Sequence, residues 1–255
     1  MDKLLAVANL TFYQAIKSRI FLNILFLGVI IAVCSFVASE FTYGRPEKVA
    51  LDIGVGLLSL ATKVIAVFYG VGLLQQEIEN RTLYMTLSRP ISRVVYFLGK
   101  FLGMFWVLLL NVFILGVFST LLFLLMGGEY NALIFWTFFM TFLEALLLFL
   151  IVFVFSLFSS KVVSILVAIS AYAYGYGAQA LLSSEKIASE SFLGIFLKLG
   201  QFVIPNFEKL NLKDFLLYQK DLPASFLWGA VAYAFFYCAI YLILGSFIFH
   251  RKNLD

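Results

Sequence analysis

The chain has 255 residues, 63% of them hydrophobic and 13% charged, with a net charge of +4. A soluble domain is roughly 45–50% apolar and about a quarter charged, so this chain cannot cover itself with polar surface, and its solvent is a bilayer. The basic residues form no tail or block, which argues against nucleic acid and for anionic lipid headgroups and cytoplasmic loops. Cys34 and Cys238 both fall in apolar runs and read as small buried hydrophobes rather than a disulfide or metal pair. The single histidine, His250, stands beside Arg251 and Lys252 after the last apolar run and reads as an interfacial anchor, not a catalytic base.

Residues 1–19 predict an interfacial helix. Leu4, Leu5, Ala8, Phe12, Ala15 and Ile16 recur at helical spacing, while Lys3, Gln14, Lys17 and Ser18 take the other side. Such a sided helix suits the headgroup plane, with a cytosolic extension of the first span as the alternative. Six stretches then reach the length of about 20 apolar residues that a crossing needs. They are 20–38, 49–74, 101–126, 132–158, 162–182 and 226–249. The expected fold is therefore an all-α integral membrane protein forming a single transmembrane domain over 1–255. With the N-terminus inside, ten Lys and Arg face the cytoplasm and seven the outside, the bias expected of inner segments. Both termini are then cytoplasmic.

Two connections are long, 75–100 and 183–225. The second carries five lysines, and its stretch Ser191–Ile204 is apolar apart from Lys198 and Gln201. A seventh span there would move Lys209, Lys213 and Lys220 inside but put the basic C-terminus outside. Its shortness and the Pro205-Asn206 stop favour a re-entrant or interfacial helix before the last span.

Residues 75–100 read QQEIENRTLYMTLSRPISRVVYFLGK. Glu77 and Glu79 precede a helix-capable piece, Arg81–Leu87, where negative charge suits a helix N-terminus. Leu83 and Leu87 share one face of it. Ser88-Arg89-Pro90 stops it, because proline disfavours helix at the preceding residue. Ile91–Phe97 begins a second helix, lined by Arg93 and closed by Gly99-Lys100. An apolar patch plus arginines suits a protein groove carrying carboxylates. An ordinary positive-inside loop is the alternative, but it needs no Leu83/Tyr84/Leu87 patch.

The run from Glu77 to Arg93, ending at Leu98-Gly99-Lys100, resembles the signature of ABC type 2 transporter permeases. It is closest to the branch with gliding-motility and copper-enzyme-maturation permeases. Phe155–Ser160, Ile204–Asn211 and Phe249–Leu254 resemble the family's short second cytoplasmic turn, its Pro-Asn segment and its basic end. Arg81 stands where many members have glycine. The resemblance implies a separate cytoplasmic ATPase subunit that holds ATP and Mg. This sequence has no Gly-x-x-x-x-Gly-Lys-Ser/Thr loop, and no catalytic role is expected of it. The resemblance further implies coupling through Glu77, Glu79, Arg81, Thr82, Leu83, Leu87, Ser88, Arg89, Pro90, Arg93, Gly99 and Lys100. A smaller contact is implied at Ser159, Ser160 and Lys161. It also implies a second permease chain, a bacterial inner-membrane location and export as the activity.

Three ionisable residues fall in or near the spans: Asp52, Lys63 and Glu144. Charge in the membrane centre is costly and marks a functional candidate. Asp52 sits near the outer end, within reach of water. Lys63 and Glu144 sit near mid-depth and either pair or face a polar interior, or else snorkel and bond separately. Tyr172, Tyr174 and Tyr176 read either as a lateral opening for an amphipathic substrate or as an aromatic belt with close packing, and the second reading is favoured. The rivals from other classes are a secondary transporter built on Lys63 and Glu144, a membrane enzyme, and a non-transporting complex that does mechanical work. One histidine and no nucleophile or metal-ligand pattern weaken the enzyme reading.

Overall fold

A computed structural model describes residues 2–17, 20–41, 45–79, 92–182, 199–218 and 222–252. Every regular element in these residues is helical. In chain order they are α1 (Asp2–Lys17), α2 (Ile20–Glu40), α3 (Pro46–Glu79), α4 (Arg93–Leu125), α5 (Ala132–Phe155), α6 (Lys161–Leu182), a 3-10 turn (Phe207–Leu210), α7 (Lys213–Leu217) and α8 (Ala224–Arg251). Five of them, α3, α4, α5, α6 and α8, are long and apolar enough to cross a membrane. The chain is a multi-pass helical membrane protein.

The boundaries follow local chemistry. Pro46 opens α3, where its missing N–H costs nothing. The Ser92 hydroxyl accepts from Val95 N at 3.3 Å and starts α4, and Asn131 caps α5 by accepting from Leu133 N at 3.1 Å. Between them Gly127, at φ 89°, takes the left-handed turn that a side chain would resist.

The helix α5 is the centre of the molecule. It is apolar all round, and 83% of its membrane-length window is buried. It packs against α3, α4, α6 and α8. A stacked pair ties it to α4, with Phe97 and Phe153 4.7 Å apart, and Phe97 in turn meets Phe249 of α8 at 5.9 Å in a tilted contact.

The helix α1 lies on α4. Val7, Ala8, Thr11 and Ala15 are buried, and a Cβ at Gly103 would stand 2.5 Å from that of Thr11, so two glycines one turn apart (Gly99 and Gly103) let the helices touch. Leu5, Tyr13 and Ile16 remain exposed beside this contact. The amphipathic pattern therefore serves a protein contact on one side and leaves an apolar flank on the other.

Two expected boundaries are corrected. Gly99 and Lys100 do not close a helix, because α4 runs unbroken from Arg93 to Leu125. Close packing of α1 fixes the glycine in helix, and the charge of Lys100 is met inside the bundle. The helix before the second turn ends at Phe155 rather than 158, with Ser156–Ser159 forming the turn. The described part of 183–225 holds the 3-10 turn and α7. Phe207 is fully buried and seats against Gly175 of α6, whose missing side chain makes room for the ring. Residues 199–203 are helical, and most of the predicted helix at 191–204 lies outside the described residues.

Candidate functional site

The end of α3, the start of α4 and the C-terminal ends of α5 and α8 meet in one polar cluster. Tyr96 and Lys100 are four residues apart on α4 and so share a face. Both reach Glu77, two residues before the end of α3. Lys100 Nζ lies 2.6 Å from Glu77 Oε1, and the Tyr96 hydroxyl donates to Oε2 of the same carboxylate. The Lys100 side chain is only 2% exposed, so this carboxylate is what makes its burial tolerable. The clamp fastens α3 to α4 at the base of the segment they carry.

A second set of contacts ties in the C-terminus. Arg93 Nη1 donates to Lys252 O at 2.7 Å and to His250 O at 3.3 Å, placing a guanidinium on the last carbonyls of α8, where a cation is favoured. A third set fixes the short turn. Gln75 Nε2 donates to Ser156 O at 3.1 Å and also to Ser159 O, while Lys252 Nζ donates to Leu157 O. Partial burial pushes the Lys252 ammonium below the usual lysine range. The turn, with Ser159, Ser160 and Lys161, lines a shallow depression of about 520 Å³ shared with Gln75, Arg251 and Lys252.

Mid-depth holds a separate cluster. Lys63 is near the middle of α3 and Glu144 near the middle of α5, and their charged atoms lie 3.0 Å apart. Lys63 Nζ also donates to the Tyr172 hydroxyl at 2.7 Å and sits 4.7 Å over that ring. The Tyr176 hydroxyl donates to Glu144 Oε1 at 2.7 Å. Two tyrosines one helical turn apart on α6 thus complete a four-residue cluster that joins three helices. Tyr174 points elsewhere and packs on Gly200, so the three tyrosines do not form one surface. At the opposite end from the clamp, Asp52 pairs with Lys213 of α7 at 2.6 Å rather than simply reaching water.

The expected coupling residues divide accordingly. Glu77, Arg93, Gly99 and Lys100 all lie at helix–helix contacts within the bundle, and Glu79 ends α3. Arg81, Thr82, Leu83, Leu87, Ser88, Arg89 and Pro90 lie outside the described residues. Sequence reasoning missed Gln75, Tyr96 and Lys252 as members of the clamp. It also missed Tyr233, Tyr237 and Tyr241, whose spacing of four along α8 was a readable signal. Their hydroxyls hold the returning chain: Tyr237 donates to Gln201 O at 2.9 Å, Tyr241 to Val203 O at 2.8 Å, and Tyr233 accepts from Asn206 N at 2.7 Å. Thr62 and Asn111, bonded at 2.9 Å between α3 and α4, were missed as well.

Among the described residues no group of three or more His, Cys, Asp or Glu could hold a metal ion. The arrangement is that of a multi-pass membrane protein whose polar groups serve to tie helices together at three depths. A scan against models of known protein families finds no match to the chain, and a search of curated proteins finds none either.

Proposed function

We propose that the chain is the transmembrane permease subunit of an ATP-driven ABC transporter. It works as an exporter in a bacterial inner membrane, with ATP and Mg bound by a separate cytoplasmic ATPase. The observation that carries this reading is the clamp beneath residues 80–91. The sequence 80–91, with Leu83 and Leu87, joins two helices that are locked together by Glu77, Tyr96 and Lys100. At 34 residues, α3 is about 51 Å long against a hydrocarbon core of about 30 Å, so its end can project toward a cytoplasmic partner. Force on the segment then enters α3 and α4 together, and passes through Arg93 to α8 and through Gln75 to the α5–α6 turn. A partner shifts the spans only through contacts that differ between its own states, and a stiff base gives such contacts something to move.

Six crossings with both termini inside follow if α2 is counted with the five long helices. Its 21 residues span about 31 Å. In support, α1, the end of α8 and the base of the 80–91 segment stand at the same end of the bundle. The helix α1 lies along the inner headgroups on its exposed flank, and the chain near 199–206 dips back among the spans. Tyr241, which holds Val203, is 17 residues and about 25 Å inside α8 from Ala224. Two copies of the permease, or this chain and a relative, frame the path.

The test is a search of the neighbouring reading frames for a soluble ATPase with a phosphate loop, then co-expression with it and affinity purification through the permease. A stable complex with ATP hydrolysis above that of the ATPase alone is the expected result. No complex in native-lipid particles would overturn it. A secondary transporter is the second reading, favoured by the Lys63–Glu144 pair at mid-depth. It requires uptake or efflux driven by an ion gradient in vesicles free of ATP.

A further inference from the structure

A groove of about 560 Å³ opens sideways from the bundle between α3 and α6, with α5 as its floor. Its volume is within the range of about 300–1,000 Å³ usual for small-molecule sites. The mouth is framed by Leu60, Val64, Phe68 and Ile169, all exposed residues of membrane-length helices. A ligand therefore enters from the hydrocarbon layer rather than from water.

The lining is sorted along the membrane normal. Toward the clamp end it is apolar, with Val64, Phe68, Leu148 and Ile169. From mid-depth to the opposite end Val55 and Leu60 remain, but all the charged side chains and the threonines gather here, with Lys63 and Glu144 followed by Thr141, Thr137 and Ser59, and with Lys213 at the rim. The threonine hydroxyls donate to carbonyls of their own helix, so their protons are already used. Polarity graded over this length matches an amphiphile lying upright, tail toward the clamp end and head toward the rim.

Exposure decides the sign of the head. Glu144 is nearly sealed, at 3%, whereas Lys63 is 15% and Lys213 33% exposed. Of the charged residues that line the groove, the reachable ones are thus cationic. The partner of Lys213, Asp52, is itself 47% exposed, and a solvent-exposed pair of this kind is weak and easily exchanged. Gly56 adds room: a Cβ there would stand 3.3 Å from Lys213 Nζ, so the ammonium can lie directly over α3 at the top of the groove. We infer that this groove binds a membrane amphiphile with an anionic head, held by Lys213 at the rim and Lys63 at mid-depth, with its tail along Val64 and Phe68. This requires only the membrane-spanning fold, so its failure leaves the ATPase-coupled reading untouched.

The experiment uses the full chain in lipid nanodiscs of phosphatidylcholine. Trace phosphatidylglycerol or phosphatidylcholine carrying a photoactivatable group in the acyl chain is added, and crosslinks are mapped by mass spectrometry. Labelling at Val64, Phe68 and Ile169 is expected to be about three- to fivefold stronger with the anionic analogue, the scale of one exposed charge contact. Lys213→Gln should abolish that preference, and Asp52→Asn, which frees the lysine, should raise it. Both positions are half-buried, and the opposite signs separate binding from misfolding. Val64→Trp should block labelling at Phe68 by either analogue. Equal labelling by the two analogues would mean annular lipid only and would overturn the anionic head. Labelling of Phe68 unchanged by Val64→Trp would overturn the groove itself.

Discussion

The Lys63–Glu144 pair makes a quantitative prediction. Removing one member leaves the other at mid-depth with a charge and an incomplete set of partners. Lys63→Met leaves Glu144 with the Tyr176 hydroxyl, and Glu144→Leu leaves Lys63 with the Tyr172 hydroxyl and ring. One-sided removal of a buried pair costs about 3–5 kcal/mol in water-soluble proteins. Single polar contacts between membrane helices average only about 0.6 kcal/mol and reach about 1.7. Here an ion pair and two hydroxyl bonds converge on one spot, so each single variant should lose about 2–4 kcal/mol. The double variant removes both charges and should cost less than the sum by at least about 2 kcal/mol. A loss of about 3 kcal/mol corresponds to a fall of roughly 6–12 °C in melting temperature. The assay is unfolding of the purified chain in mixed detergent, followed by the fluorescence of its three tryptophans. Losses that add to within about 0.5 kcal/mol would show that the two residues act independently and would refute the reasoning.

Other substitutions probe other joints of the structure. Gly103→Leu forces a side chain into Thr11 and should cost about 1–3 kcal/mol by overpacking, with α1 becoming protease-accessible. Phe207→Ala empties a fully buried ring site against α6 and should cost about 3–5 kcal/mol in the same unfolding assay. Glu77→Gln removes the countercharge of a lysine that is 2% exposed. It should lower stability by about 3–5 kcal/mol and reduce coupled ATP hydrolysis, while the ATPase still co-purifies. Retained hydrolysis would show that the clamp does not carry force.

Much of this could be read from the residues. The long apolar runs placed the helices, because hydropathy over a window of membrane length reports directly on burial in lipid. Lys63 and Glu144 stood out for the same reason, as charges where charge is expensive. That two of the three nearby tyrosines join them follows from a spacing of four on α6, which separates Tyr172 and Tyr176 from Tyr174. Lys100 was misread because a lysine after glycine resembles a return to the headgroups. Its burial depends on Glu77, 23 residues earlier, and no local pattern reveals such a partner. Phe207 was hidden for a similar reason, since its socket at Gly175 lies on another helix. The pair Gly99 and Gly103 was missed because Gly99 was read as a helix stop, and nothing in the spacing said that α1 would fill the gap.

The central claim, that residues 80–91 receive force from a partner ATPase, is tested most directly by ATP hydrolysis in the reconstituted complex. Leu83→Asp with Leu87→Asp places two charges on the apolar face of the segment and leaves the Glu77–Lys100 clamp intact. Loss of both co-purification and permease-stimulated hydrolysis, with unchanged melting of the permease alone, is the expected result. Unchanged association and hydrolysis would contradict the claim.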